Sequence, residues 1–487
     1  MSYVRPSLAI AVSSSLLVLL AAACGGSGGS SITTDPAGDA SADSASSDGA
    51  VSGQDGATST SLTAALASHG FDVQNGRFSF LDMSMCCATS CDGNNPASPY
   101  AGFYVPPAKG QSASNPGSQP DGMSASWRLR ADEAVLYVGP TPPTAKYFGF
   151  TPYLFDRDNG KGGREQVFAS LEETLNNLVI GTEAPAGTPP FARTTAVIVA
   201  GDASTVAAAK AALAESGLVG SAVNVLTLDA SKVHFGIDQS ADTMNVLFRM
   251  AVVSDASAKA DFIKNPGGAV YRLTPKAMAA SSALPTPPAR TKGTDMGELA
   301  LSAAADKLAA AIQAAYPGYV VDELPVDDGT ADPDKCIMQG GGCFGDNRDA
   351  LYPGGKAVQM FANDNEFYVV FGADHVVSGK ATYASASVYA LQHLVGVAAV
   401  TSDTYAGSAA TYLPGDADAA KLYAWKVARS CTGDAHCLEI QKGACPTGMD
   451  NGALGNITFR IYMEPSTKTA PQATTVLRDR ILRFRKP

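Results

Sequence analysis

Apolar and polar positions alternate along most of this chain, and a helical period surfaces only at intervals. From Ser61, LTAALASHGFDVQNG predicts a short helix over Leu62–Ala67, stopped by Gly70. A strand is expected over Arg77–Leu81. After a cysteine cluster and a long Pro, Gly, Ser and Asn loop, residues 127–130 and AVLYVG at 134–139 read as strands, because β-branched and aromatic side chains suit a pleated, half-buried surface. KYFGFTPYLF (146–155) is a third, aromatic strand. Val167, Leu171, Leu175 and Leu178 stand at helical spacing, so a helix is predicted over 164–179. Ala196–Ala200 reads as a buried strand. Asp202 or Ser204 then caps a helix, its side-chain oxygen accepting an orphan backbone N–H, and Gly217 ends it. AVNVLTL (222–228) returns as a strand, and this strand–helix–strand unit lacks the glycine spacing of a phosphate loop. Another strand follows at 244–253, then a second short helix and YRLTP.

ALPTPPARTKGT (283–294) is a Pro-rich break, after which the pattern restarts. ELALSAAADKLAAAIQAAYPGYVV gives a longer helix, stopped near Pro317 and Gly318, and a strand. Five anchors recur in one order on both sides of the break. Gly70-Phe71 matches Gly318-Tyr319. CDGNNPASPYAG from Cys91 matches CFGDNRDALYPG from Cys343. Glu133 with Gly139 matches Glu366 with Gly372. Gly201-Asp202-Ala203 matches Gly415-Asp416-Ala417, and Asn245-Val-Leu-Phe-Arg matches Asn456-Ile-Thr-Phe-Arg. The expected fold is therefore α+β: two related domains from internal duplication, at 61–282 and 298–487, joined by a linker at 283–297. Each is a mixed or antiparallel sheet with helices packed on one side. A cleft between two such domains is the default place for a ligand.

The chain has 487 residues, of which 45% are apolar, enough for a substantial core. Its net charge of −11, with no basic run, argues against a nucleic-acid partner, since phosphate binding needs clustered Lys and Arg. Residues 25–60 hold almost no large apolar side chain and read as a flexible tether. Ahead of them, Arg5 precedes an apolar run from Leu8 to Leu20, followed by Ala21-Ala22-Ala23-Cys24. This resembles the bacterial lipoprotein signal, with Ala21 where leucine is commoner. The resemblance implies removal of residues 1–23, lipid on Cys24, a membrane contact through that lipid, and a place in the cell envelope at the outer membrane or cell surface. An ordinary secretory signal or an uncleaved anchor are the other readings. No later stretch is apolar for the ~20 residues of a bilayer span.

Eight further cysteines remain: Cys86, Cys87, Cys91, Cys336, Cys343, Cys431, Cys437 and Cys445. An even set in an exported chain reads as disulfides. Spacing favours Cys336 with Cys343, Cys431 with Cys437 or Cys445, and one of Cys86 and Cys87 with Cys91. No pair of CxxC units supports zinc, and no metal or cofactor is expected.

Candidate chemistry lies where the two copies differ. Pro96-Ala97 becomes Arg348-Asp349, and Thr141-Pro142 after a strand becomes Asp374-His375. His375 at a strand end can act as general base, with Asp374 or Asp349 as its carboxylate partner. Arg348 can clamp an anion, with Tyr352 and Lys380 alongside. Each residue also has a plain structural reading: an Arg348–Asp349 ion pair, a turn histidine, and Lys380 as a counterpart of Lys146. No GxSxG, HExxH or Walker loop occurs. His393 is expected in the core of an apolar helix and His436 in a loop. The aromatic strand at 147–155 could stack on a sugar, though core packing is the commoner use of such a face.

NRDALY (347–352), followed by EFYVVFG, resembles a bacterial family of unknown function that carries an Asn-Arg-Asp-Thr-Leu-Tyr motif, and KYFGFTPY is similar to that family's aromatic strand. Ala350 departs from the motif, and the two pieces occur here in the reverse of the family's order. The functional expectation is binding of a small molecule or glycan in an inter-domain cleft. The alternatives are a cofactor-free hydrolase or lyase based on His375, and a structural envelope protein.

Overall fold

The computed structural model describes residues 61–277 and 282–487. The signal segment, Cys24 and the tether to residue 60 lie outside the described residues. In chain order the first part contains helix α1 (Leu62–Ser68) and strands β1 (Phe71–Phe80), β2 (Tyr100–Tyr104), β3 (Ser126–Trp127), β4 (Ala134–Pro140), β5 (Ala145–Asp158), β6 (Arg164–Ser170), β7 (Leu175–Asn176) and β8 (Thr194–Ala200). Helix α2 (Ala203–Glu215), β9 (Val223–Thr227), β10 (Thr243–Val253), α3 (Ala256–Lys264) and β11 (Ala269–Pro275) complete it. The second part opens with α4 (Ser302–Ala315), β12 (Val320–Leu324), α5 (Pro333–Gln339), β13 (Ala350–Leu351), β14 (Val358–Gln359), β15 (Phe367–Ala373), β16 (Tyr383–Ala390) and β17 (Val395–Thr401). It closes with α6 (Ser402–Tyr405), β18 (Leu422–Ala428), β19 (Cys437–Glu439), β20 (Leu454–Tyr462) and β21 (Arg480–Arg485). The fold is mixed α+β and mostly sheet.

Every strand up to Pro275 joins one 11-stranded sheet, in the order β6-β5-β10-β2-β1-β11-β4-β8-β9 with β3 and β7 at its side. It curls because β1 is long enough to pair with β11 through Phe71–Gly76 and with β2 through Arg77–Phe80. Strands from Val320 onward form two five-stranded sheets, β12-β21-β15-β18-β19 and β13-β20-β16-β17, with β14 beside β20. All pairings are antiparallel except β8–β9 and β18–β19. Among the described residues, no helix is long and apolar enough to cross a membrane.

Helices α1 and α2 cover one face of the first sheet, where Leu66, Ala209 and Leu213 meet Leu136, Ile198 and Leu273. Helix α4 presents Leu308, Ala309 and Ile312 to Val369, Phe371, Leu482 and Phe484. Helix α1 ends just before Gly70 (φ 90°), in the left-handed region that costs glycine little, whereas α4 stops at Ala315 with Tyr316 as its cap, ahead of Pro317 and Gly318 (φ 83°). Asp202 caps α2 by accepting from Thr205 N at 2.8 Å.

The helix predicted over 164–179 is not formed. Arg164–Ser170 instead pairs with β5, and Leu175–Asn176 adds a short strand to it. Helical leucine spacing lost to a long aromatic neighbour that offered a full ladder of backbone hydrogen bonds. Of 127–130, only the first residue is in a strand. His393 sits in the turn between β16 and β17, not on a helix. The disulfides are Cys86–Cys91, Cys336–Cys343, Cys431–Cys437 and Cys87–Cys445, the last spanning 358 residues.

Candidate functional site

The end of β15 delivers Asp374 and His375 into a buried turn. Asp374 accepts from Val376 N (3.1 Å) and Val377 N (3.3 Å), which fixes that turn. Burial raises its pKa. His375 is 1% exposed and clasped on both sides. Its Nδ1 meets the Glu298 carboxylate at 3.0 Å and its Nε2 meets Asp479 Oδ2 at 3.1 Å. Burial disfavours the imidazolium, but the charges of Glu298 and Asp479 outweigh it and hold the ring's pKa well above the ordinary histidine value. Glu298 also accepts from Leu477 N (2.6 Å) and the Ser378 hydroxyl, and Asp479 accepts from the Tyr423 hydroxyl (2.7 Å). Gly372 makes room for this clasp, since a Cβ there would lie 2.6 Å from Asp479 Oδ1. With both ring nitrogens engaged, the imidazole has none left to take a proton from a substrate.

Lys380 is also buried. Its Nζ reaches Asp295 O (2.5 Å) and Glu464 Oε1 (3.2 Å). Lys146 is not its counterpart: that side chain is about half exposed and lies 3.5 Å from Asp403.

Arg348 and Asp349 follow Asn347 in a loop that crosses to the first sheet, and they do not pair with each other. Arg348 donates to Ser170 Oγ and Ser170 O, both at 3.2 Å, and approaches Asp334 at 3.6 Å. Asp349 is fully buried. It accepts from Asn176 Nδ2 (2.9 Å) and the Tyr147 hydroxyl (3.1 Å) and faces Arg290 at 3.4 Å. Burial pushes its carboxyl up to about 7, against the opposing pull of Arg290, Asn176 and Tyr147. Nearby Glu172 is pushed by burial to about 8, although it accepts from Thr227 N at 2.7 Å. The Tyr352 hydroxyl lies 3.3 Å from that of Tyr462. No two of the six predicted side chains share a hydrogen-bond partner among the described residues.

A different constellation emerges where the loops from Cys91 and Cys343 cross. Arg249 Nη2 on β10 donates to Gly345 O (2.8 Å), and Arg460 Nη2 on β20 donates to Gly93 O (2.5 Å). Each arginine thus holds the loop of the other part of the chain. Arg249 lies over the rings of Tyr100 (5.6 Å) and Tyr153 (5.4 Å), and Arg460 over Tyr352 (5.0 Å) and Tyr389 (5.8 Å). Neither guanidinium forms an ion pair among the described residues. The sequence did carry this signal, because both arginines close the repeated Asn-x-x-Phe-Arg anchor.

Tyr147, Phe148, Phe150 and Tyr153 are buried in packing and present no open ring face. The sulfurs of Cys86, Cys87 and Cys91 lie within 4.8 Å of one another, yet each is oxidised in a disulfide and supplies no thiolate for a metal. Two adjoining surface hollows, of about 440 and 640 Å³, share Leu477 and Arg478 beside α4.

No family model and no curated protein matches the chain. Among solved structures, it is similar to an uncharacterised protein from Burkholderia cenocepacia, at 13% identity over 85% of this chain and 82% of that one, with a TM-score of 0.38. It is also similar to the VPA0106 protein from Vibrio parahaemolyticus, at 9% identity over 80% and 89% of the two chains, with a TM-score of 0.36.

Proposed function

We propose that this chain is an exported, lipid-anchored protein of the bacterial envelope, built by internal duplication, that binds a small molecule at the seam between its two related parts. Four disulfides support export, because such bonds persist in oxidising compartments. The Ala21-Ala22-Ala23-Cys24 motif supports lipid attachment at Cys24.

Strand register supports duplication. The run β1-β11-β4-β8-β9 has the order of β12-β21-β15-β18-β19, with a parallel last pair in each. Gln74 pairs with Arg272 as Asp322 does with Arg483, and Val135 pairs with Arg272 as Tyr368 does with Arg483. Tyr153 faces Asn245 as Tyr389 faces Asn456. Non-glycine residues with positive φ also match: Asp92 with Phe344, Phe168 with Leu394, and Val252 with Met463. One anchor fails, since Gly201–Ala203 follows β8 whereas Gly415–Ala417 precedes β18, the strand in the corresponding place.

One observation carries the binding reading: two buried arginines that form no ion pair face the seam among tyrosines. Buried charges are ordinarily paired, and unpaired ones mark sites where something else completes them. The clasped His375 argues against turnover at that residue. The test is the melting temperature of the full-length protein across a panel of small metabolites and sugars. Saturable stabilisation by a ligand, lost on changing seam residues, supports the reading. A panel without any shift overturns it in favour of a structural envelope protein.

A further inference from the structure

The two matched compartments at the seam are completed differently. Under β5 and β10, the loop from Cys343 brings Asp346 near enough to Arg249 to feel its charge without an ion pair among the described residues, while Asp349 faces Arg290. Asp346 accepts from Ser170 N (2.8 Å) and Ser170 Oγ (2.6 Å). The hydroxyl of Thr151 is engaged as well, by Thr174 Oγ1 at 2.9 Å and Arg249 Nη1 at 3.4 Å. The polar groups there are satisfied from within the chain.

Under β16 and β20 the loop from Cys91 has no carboxylate at the places of Asp346 and Asp349, and its Asp92 is engaged by Ser90 and Gln166. Asn94 stands where the other loop has Asp346, and it accepts from Gly396 N (2.9 Å) as Asp346 does from Ser170 N. Ala97 stands where the other loop has Asp349. Arg460 spends Nε and Nη2 on the Tyr389 hydroxyl and Gly93 O, and its Nη1 has no hydrogen bond among the described residues. Ser387, the match of Thr151, is 0% exposed, and its hydroxyl has no hydrogen-bond partner among the described residues. Ser385 lies directly opposite Arg460 and Ser387 opposite Thr458, so Ser387 is diagonal to Arg460 on one face of the pair. Diagonal positions are about 7–8 Å apart, within reach of a long side chain. On that face Thr458 and Asn456 are half-buried, giving a graded approach from solvent towards Arg460.

We infer that this compartment binds a small, singly charged oxyanion, free or as the carboxylate end of a metabolite, between the Arg460 guanidinium and the Ser387 hydroxyl. The inference rests on the binding reading above and names its ligand class. A planar oxyanion with two or three oxygens accepts from the open guanidinium edge and from the Ser387 hydroxyl, and the Ser385 hydroxyl opposite Arg460 is a further unspent donor among the described residues. The oxyanion takes the place that the Asp346 carboxyl holds on the other side.

The experiment titrates sodium formate and sodium acetate against sodium chloride at constant ionic strength, using the full-length protein and following melting temperature and binding heat. Formate or acetate, and not chloride, should stabilise saturably. Ser387→Ala removes an unpartnered hydroxyl, leaves the fold intact and should weaken binding about tenfold. Asn94→Asp keeps the acceptor for Gly396 N and adds the missing carboxylate. It should raise the melting temperature in anion-free buffer and abolish the anion effect. No oxyanion-specific shift, or a shift unchanged in both variants, overturns the inference. A neutral ligand that binds equally well to Asn94→Asp overturns it while leaving the binding reading standing.

Discussion

Asn347 donates its side-chain amide to the Tyr147 hydroxyl at 2.9 Å, and Asn95 donates to the Tyr383 hydroxyl at 3.2 Å. Each asparagine lies in a loop of one part of the chain, and each tyrosine on a strand of the other. Asn347 Oδ1 further accepts from Asp349 N (2.9 Å) and Thr174 Oγ1 (2.8 Å), whereas Asn95 Oδ1 accepts from Ala97 N (3.0 Å). Leaving a buried donor or acceptor unpaired costs about 1–3 kcal/mol. Asn347→Ala is therefore expected to cost more than Asn95→Ala in denaturant unfolding. Equal costs would show that the extra acceptor bonds of Asn347 add nothing.

His375 gives the second prediction. Removing one partner of a buried ion pair costs about 3–5 kcal/mol, since it strands the remaining charge. His375→Ala leaves Glu298 and Asp479 buried and facing each other, so a loss of that size is expected in calorimetry. A solvent-exposed catalytic histidine would lose well under 1 kcal/mol on the same change. A small loss would show that His375 is not the clasped cation described here.

Much of the architecture was legible in the chain because strand alternation, capping and glycine stops are local signals. Asp202 capping α2 and Gly70 closing α1 are signals that need no knowledge of distant residues. The helix expected over 164–179 failed because pairing with β5 is non-local. The Cys91 and Cys343 segments differ in sequence at Arg348 and Asp349, which stand against Pro96 and Ala97. The partners of His375 and Asp349, namely Glu298, Asp479, Arg290 and Asn176, are far away in sequence and no spacing announces them. Arg249 and Arg460 were visible as a repeated motif. What hid their role is that burial cannot be read from an arginine in an alternating strand.

Stability should fall with rising pH across the neutral range. Burial raises Asp349 from 3.8 to about 7 and Glu172 from 4.5 to about 8. A carboxyl with a raised folded pKa stabilises fully below its unfolded value, and that contribution is lost as pH rises through the folded value. His375, also raised, adds stability below about 6.5 that fades at still higher pH. Glu298 is held below its ordinary value by His375 despite burial, so it acts in the opposite sense and loses its contribution as pH falls below about 4.5. Unfolding free energy is expected to peak between about pH 4 and 4.5 and to drop by several kcal/mol by pH 8. Asp349→Asn should flatten the part of that drop between about pH 4 and about pH 7, and an unchanged slope would remove Asp349 from the account.

The Cys87–Cys445 bridge links the first crossing loop to the loop before β20. It closes 358 residues, whereas Cys336–Cys343 closes 7. In the chain-entropy account, long closures constrain the unfolded chain most. Replacing both Cys87 and Cys445 by serine should cost about 2–5 kcal/mol, and the Cys336/Cys343 double replacement less. The opposite ranking in non-reducing urea unfolding would show that local geometry outweighs chain entropy here.

Glu133–Arg272 and Glu366–Arg483 occupy matched places beside the first strands of the two sheets, yet their surroundings differ. Both side chains of the first pair are 0% exposed, at 2.8 Å, while Arg483 is 16% exposed, at 2.9 Å from Glu366. Glu133 gathers Arg272, Arg130 N and the Thr274 hydroxyl, and the partly exposed Arg130 guanidinium at 3.2 Å is the cation left to it if Arg272 is lost. Glu366 retains Ala362 N and the Tyr368 hydroxyl if Arg483 is lost. Water can also reach the second carboxylate through the space a truncated Arg483 would leave, which lowers the cost of its isolated charge. Arg272→Met is therefore expected to cost about 3–5 kcal/mol and Arg483→Met clearly less, on the scale of a partly exposed pair. A double-mutant cycle on each pair checks this, because it separates the coupling from the packing of the arginine stems. Equal coupling energies would show that the match in position, rather than burial, sets the strength of the bridge.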